Sequence, residues 1–136
     1  MRIRLRRQIL RDFGMEVIEP ATGLLACKAV GKGKMPSEEV LLSHILQEIQ
    51  YEHDMEGKRV LITAGPTREA IDPVRYLTNH STGKMGFALA KAAMLRGASV
   101  TVVKGHTEAE EPHFVKMVPV KSAQQMFEAV KEEAAD

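Results

Sequence analysis

The chain has 136 residues, 44% of them hydrophobic, and 19 Lys plus Arg against 18 Asp plus Glu, enough apolar material for the core of one domain and against overall disorder. A net charge of +1 and an aromatic content of 4% with no Trp give no reason to expect nucleic acid as a partner, and no apolar run approaches the roughly 20 residues that span a bilayer. A single cysteine forbids an internal disulfide, and a cytoplasmic, reducing location is the simplest expectation.

Met1 to Arg11 carries arginines at positions 2, 4, 6, 7 and 11 and no acid before Asp12. A transit peptide or a membrane-surface helix could share that composition. The stronger reading is an exposed helix that stops at Gly14 and leads into a strand over Met15 to Ile18. Next, Ser37 can cap a helix running to Tyr51, with Glu38 and Glu39 in its positive first turn and Leu42, Ile45, Leu46 and Ile49 at i, i+3, i+4 and i+7. His44 and His53 have no third ligand at metal spacing and are expected to face solvent. Glu52 to Lys58, EHDMEGK, reads as a polar linker and places a domain boundary there.

Val60, Leu61 and Ile62 form the apolar run of a strand buried on both faces, and Gly65 and Pro66 stop it. After a long loop, Gly83, Lys84 and Gly86 open a helix in which Met85, Leu89, Ala92 and Ala93 recur at helical spacing, with Gly97 as its stop. Loops of that length in compact domains are usually functional or disordered. Ser81, Thr82 and Gly83 at a helix start would let an oxygen-rich anion approach the backbone, and Lys84 adds a full charge. In the bland alternative, Gly83 and Gly86 only allow close helix-on-sheet packing and Asn79 caps a turn. Neither G-x-x-x-x-G-K-[ST] nor G-x-G-x-x-G spacing is present, and the second strand, Ser99 to Val103, ends without the acid that holds a ribose in a NAD site.

Beyond Gly105, HTEAEEPH is an acidic connection in which Glu108, Glu110 and Glu111 cluster; a solvated loop is a stronger reading than a metal site. Phe114 to Val120 reads as a third strand, and Ser122 caps a final helix with Met126, Ala129 and Val130 on one face. Alternating strands and helices predict an α/β fold with a parallel sheet and flanking helices; the order of the strands is not readable.

Gly65-Pro66-Thr67-Arg68-Glu69, Ile71-Asp72-Pro73-Val74-Arg75, Asn79-His80-Ser81 and Gly83-Lys84-Met85-Gly86 occur in that order without gaps. The stretch resembles the nucleotide- and substrate-binding loop of bacterial phosphopantothenate–cysteine ligases, the second half of bifunctional coenzyme A biosynthesis proteins that also decarboxylate phosphopantothenoylcysteine. Pro20 to Met35 is similar to the end of the decarboxylase half, where a flexible loop carries a cysteine proton donor; Cys27 takes that place, with Lys28 and Lys34 where the family has glycine and arginine.

The resemblance implies a partial Rossmann-like sheet preceded by the tail of a flavoprotein-like α/β domain. Residues 1–51 would be the decarboxylase-like tail, 52–58 the linker and 59–136 the start of the ligase-like domain. It implies Asn79 and Cys27 as catalytic residues, and Gly65, Pro66, Thr67, Arg75, Ser81, Thr82, Gly83, Lys84, Met85 and Gly86 as substrate- or nucleotide-binding residues. The substrates would be phosphopantothenate, cysteine and CTP, with Mg²⁺ accompanying the nucleotide. FMN would serve the full decarboxylase half and is not expected on this chain. The full-length protein would be a homo-oligomer. In the family, the cytidine-selecting segment lies beyond the point matching Asp136, so this chain alone is expected to turn over neither substrate. The alternative is a non-catalytic Rossmann-like module that binds a phosphate ester or mediates oligomerisation, with dinucleotide reduction a distant third.

Overall fold

The computed structural model describes residues 2–135, and their side chains from Arg6 onward. Met1, Asp136 and the side chains of Arg2 and Arg4, on which part of the arginine-rich reading rests, lie outside that description. The chain divides into two compact units, residues 1–41 and 42–136.

In the first unit, helix α1 covers Arg2–Asp12. It ends in a Schellman turn: Gly14 at φ +76° donates to the Arg11 carbonyl at 2.8 Å, and Met15 N–H donates to Leu10 at 3.0 Å. The expected strand over Met15 to Ile18 does not form, because a strand exists only through a pairing partner and none runs beside this segment among the described residues. Instead Glu19 accepts from Arg7 and Arg11, each at 2.5 Å, which folds the segment back along α1. Those two cations hold the Glu19 carboxyl below the usual glutamate range, the Arg11 hydrogen bond leading.

Strands β1 (Ala21–Leu24) and β2 (Val30–Lys34) pair antiparallel, so the segment read as a flexible loop is a hairpin. Its turn is closed by Leu25 N–H on the Ala29 carbonyl at 2.9 Å and Lys28 N–H on Leu25 at 2.8 Å, with Cys27 exposed between them. Lys28 sits at φ +62°, in the left-handed region that glycine occupies without cost.

Helix α2 covers Glu38–Ile49, and the division between the units falls within it. Ser37 Oγ accepts from Val40 N–H at 3.5 Å, the expected cap. The apolar stripe is only partly used: Leu46 packs against the core, whereas Leu42, Ile45 and Ile49 are each more than half exposed. Nor is His44 simply solvent-facing, since its ring lies 4.2 Å from that of Phe114; His53 Nε2 lies 2.7 Å from the Gln47 carbonyl oxygen. Residues 52–58, read as a polar linker, lie within the second unit and include a turn over 54–57. Met55 packs against the core and donates to the Arg96 carbonyl at 3.0 Å, Asp54 pairs with Arg96, and Lys58 accepts from Ser99 N–H at 2.9 Å.

Three parallel strands make the main sheet in the order β3 (Arg59–Ala64), β6 (Ser99–Lys104), β7 (Lys116–Pro119). In register, Arg59 faces Ser99 and Ala64 faces Lys104, while Thr101 faces Lys116 and Lys104 faces Pro119. The small strands β4 (Glu69–Ala70) and β5 (Tyr76–Leu77) form a hairpin inside the long loop.

Helix α3 (Lys84–Leu95) packs on β3 and β6 and ends in a second Schellman turn. Gly97 at φ +88° donates to Met94, and Ala98 donates to Ala93. Its buried face is Phe87, Ala90, Ala93 and Met94, together with Ala64, Val100 and Val102. The expected face was wrong in part, because Met85, Leu89 and Ala92 are exposed. A helix apolar on nearly every side has no phase from which to choose.

Helix α4 (Ala123–Ala135) lies against β3 and β6. Ser122 and Gln125 form a capping box: Gln125 N–H donates to Ser122 Oγ at 3.2 Å, and Ser122 N–H donates to Gln125 Oε1 at 3.3 Å. Glu69 adds a third acceptor, taking Ala123 N–H at 2.8 Å.

Candidate functional site

Because β3 and β6 run parallel and finish side by side at Ala64 and Lys104, the chain leaves both at the same edge of the sheet. That edge, outside the strands' carboxyl ends, is where open α/β sheets bind ligands. The two exits are locked together. Gly105 N–H donates to Ala64 at 2.8 Å and His106 N–H to Pro66 at 3.0 Å, and a Cβ on Gly105 would stand 2.0 Å from the Pro66 carbonyl oxygen. Only a glycine permits this approach. Gly65, at φ +77°, turns the chain away from β3.

The loop then makes its β4–β5 hairpin and returns to the sheet edge at Thr78, whose hydroxyl donates to the Thr67 carbonyl at 2.7 Å. Asn79 follows, and its Oδ1 accepts Ser81 N–H at 2.9 Å. This Asx turn uses the oxygen of the amide and leaves its NH₂ group as a donor on an exposed side chain. Gly83, buried and at φ +75°, leads into α3, whose start has no side-chain cap and no acid in its first turn. The N–H groups there are therefore not already satisfied by a carboxylate or hydroxyl.

These segments enclose an open cleft of about 480 Å³. Pro66, Asn79, Ser81, Thr82 and Lys84, all expected at the site, line it. Gly65 and Gly83 shape its backbone. Five other candidates, Thr67, Met85, Gly86, Arg75 and Cys27, do not line it. Thr67 contributes its carbonyl to Thr78, and Met85 projects outward at 79% exposure. Gly86 faces the sheet, where an added Cβ would come 2.6 Å from that of Ala64, so the packing reading applies to it.

Arg75 is absent from the cleft lining. Its Nε donates to Asp72 Oδ2 at 2.6 Å, while Val74 and Arg75 N–H donate to Asp72 Oδ1 at 2.9 and 2.7 Å. These bonds, the Arg75 backbone N–H first, hold the Asp72 carboxyl below the usual aspartate range. Cys27 belongs to the first unit.

The cleft also contains residues that were not expected there. Arg68 lines it with its guanidinium 4.6 Å above the Tyr76 ring, and Thr78 and His80 come from the returning loop. His106, Thr107, Glu108 and Ala109 come from the connection read as a solvated acidic loop. That reading holds better for Glu111, which pairs with Lys104. The available signal was positional, since the loop after the second strand of a βαβ unit borders the same crevice as the loop after the first. Arg68, Lys84, His80, His106 and Glu108 thus line one cavity. It suits an anion with several oxygens. Among the described residues, no group of three or more His, Cys, Asp or Glu is placed to hold a metal ion.

A parallel sheet with flanking helices and a crevice at its carboxyl edge defines an α/β fold. The chain belongs to the family described as DNA/pantothenate metabolism flavoprotein C-terminal domain, whose pattern matches residues 55–136. It is 51% identical over 121 residues to the coenzyme A biosynthesis bifunctional protein CoaBC of Vibrio parahaemolyticus serotype O3:K6, covering 89% of this chain and 30% of that protein. The corresponding Bacillus subtilis strain 168 protein is 47% identical over 127 residues, covering 90% of this chain and 31% of the relative.

Among solved structures, the C-terminal domain of a CoaBC bifunctional protein matches with a TM-score of 0.59 and 54% identity, over 60% of this chain and 42% of that one. The DNA/pantothenate metabolism flavoprotein from Streptococcus pneumoniae matches with a TM-score of 0.55 and 29% identity, over 59% and 36%. The chain therefore spans about 30% of the length of these curated relatives. Among the described residues, no helix is long and apolar enough to cross a membrane.

Proposed function

We propose that residues 59–136 carry the acyl- and phosphate-binding edge of a CTP-dependent phosphopantothenate–cysteine ligase, that 52–58 join it to what precedes, and that 1–51 derive from a phosphopantothenoylcysteine decarboxylase. The observation that carries the reading is the juxtaposition of the Asn79 Asx turn with Lys84 at an uncapped helix start in one cleft. A carboxylate is a poor electrophile. In the proposed reaction the phosphopantothenate carboxylate attacks the α-phosphorus of CTP, giving an acyl-cytidylate and pyrophosphate. The cysteine amine then attacks the acyl carbon, CMP leaves, and the amine proton passes to solvent.

Asn79 would donate its NH₂ to the acyl oxygen as negative charge develops there, a task for a neutral donor already oriented by its own turn. Ser81, Thr82 and the first N–H groups of α3, with Lys84, would hold phosphate oxygens. Arg68, stacked on Tyr76 and facing the cleft, is better placed than Arg75 to supply a planar charged fork. With no cluster of protein ligands among the described residues, Mg²⁺ would be held mainly by nucleotide phosphates and water.

FMN does not fit the described first unit: none of the side chains described between Arg6 and Leu41 is buried, and a flavin ring needs apolar walls. Cys27 would serve as a proton donor only where the rest of a decarboxylase surrounds it.

Titrating the chain with 4′-phosphopantothenate and then CTP, while following backbone amide resonances, tests the assignment. Shifts are expected at Ser81 to Gly86 and at His106 to Ala109. Shifts confined to α4 would reject it. One observation favours a second reading, oligomerisation through the β4–β5 hairpin: Ile71, Val74 and Leu77 are 57%, 86% and 65% exposed. Sedimentation measures that directly.

A further inference from the structure

Thr107 belongs to the connection after β6, yet its side chain is bonded into the loop that precedes α3. Its Oγ1 donates to the Thr82 carbonyl at 2.6 Å and accepts Ala109 N–H at 3.1 Å. The contact is close on both sides: a Cβ on Gly83 would stand 2.9 Å from Thr107 Oγ1 and 3.3 Å from Gly65 N. Three chain segments therefore meet around Thr107 and Gly83, the hydroxyl bonding two of them. They are the exit from β3, the entry to α3 and the exit from β6.

We propose that Thr107 is a positioning residue for the anion cleft, setting the orientation of the Thr82–Gly83 peptide that opens α3. The inference rests on the reading of the cleft as an anion site. A peptide unit is planar and trans, so fixing the Thr82 carbonyl also fixes the direction of the Gly83 N–H. That restraint matters at this position because Gly83 has no Cβ to limit its dihedrals and sits at φ +75°, from which a glycine rotates at little cost. Side-chain capping supplies no substitute, since α3 has none.

The hydroxyl is also satisfied in a way a methyl cannot copy. It donates to one loop while accepting from its own, so the connection after β6 and the start of α3 hold their positions together. Thr107 itself lines the cleft, next to His106 and Glu108. Through this one residue the connection holds in place the groups that face the ligand.

The test compares wild type with Thr107→Val, Thr107→Ala and Thr107→Ser in the full 136-residue chain. Without ligand, Thr107→Val should move the Thr82 to Gly86 amide resonances and speed hydrogen exchange at Ala109, while Thr107→Ser should retain the wild-type pattern. With inorganic phosphate as the probe, Thr107→Val should bind about five- to tenfold more weakly, as expected for one lost hydrogen bond, and Thr107→Ser should restore binding. If Thr107→Val does not fold, Thr107→Ala takes its place, because it removes the hydroxyl without forcing a methyl against the Thr82 carbonyl.

Unchanged resonances and exchange in a folded hydroxyl-less variant would overturn the positioning role, whatever the phosphate result. Wild type that binds no phosphate, with the ligand-free differences present, would refute the anion cleft and with it the functional role of Thr107. Equal phosphate affinity in wild type and the hydroxyl-less variants would keep the cleft and remove Thr107 from it.

Discussion

Asn79 Oδ1 accepts the N–H of Ser81 at 2.9 Å, so a single side chain that lines the cleft shapes the loop and keeps its amide NH₂ as a donor. An aspartate can make the same turn but cannot donate. In a full-length ligase containing this segment, Asn79→Asp should keep the loop conformation and slow breakdown of the acyl-cytidylate by about 10² to 10³, as for a lost oxyanion donor. Quenched-flow detection of accumulating intermediate checks this. Amide formation at the wild-type rate would take Asn79 out of the mechanism.

Gly86 and Gly105 are held to glycine by close neighbours. A Cβ on Gly86 meets that of Ala64 at 2.6 Å and the Thr63 carbonyl at 3.1 Å, so Gly86→Ala should cost roughly 1–3 kcal/mol by overpacking. Ala64→Gly should recover part of that loss in the double mutant. Gly105→Ala has no such rescue, because its Cβ would meet the Pro66 backbone at 2.0 Å, and it should cost more than about 4 kcal/mol. Thermal melts of the four variants rank these effects.

Lys28 takes φ +62° at the tip of the β1–β2 hairpin. A left-handed residue other than glycine costs roughly 1–2 kcal/mol locally, part of which glycine gives back through its larger unfolded-state freedom. Lys28→Gly should therefore stabilise the hairpin by about 0.5–1 kcal/mol, read as slower exchange of the Leu25 and Lys28 N–H groups. Faster exchange would show that the turn does not carry this strain.

Asp54 and Asp72 both titrate below the ordinary aspartate range, Asp54 chiefly through its hydrogen bond from Arg96 and Asp72 chiefly through the Arg75 backbone N–H. A carboxyl whose folded value lies below its unfolded value binds fewer protons when folded. Its stabilisation is complete above the unfolded value, about pH 4, and is lost as pH falls through the folded one. Carboxyl ¹³C titration should place both midpoints below that of a free aspartate. Arg96→Met should return Asp54 toward the ordinary range and leave Asp72 unmoved.

The amino-acid sequence by itself determined the elements whose cause is local. Gly14 and Gly97 stop their helices because each sits where the chain must turn left-handed, and Ser122 caps α4 because its hydroxyl reaches an N–H three residues away. That the sheet is parallel followed from alternating strands and helices, whereas the pairing of Val60–Ile62 with Val100–Val102 was not readable.

Tertiary structure decided what depends on partners distant in sequence. Met15 to Ile18 had strand-like residues but no strand beside them, and α3 could choose Phe87, Ala90 and Ala93 over Met85 and Leu89 only once the sheet was in place. The same division runs through the cleft. Asn79, Ser81, Thr82 and Lys84 are adjacent in the chain and could be read together. Thr107 meets Thr82 across 25 residues, because β3 and β6 end in register at one edge of the sheet and bring their loops into contact.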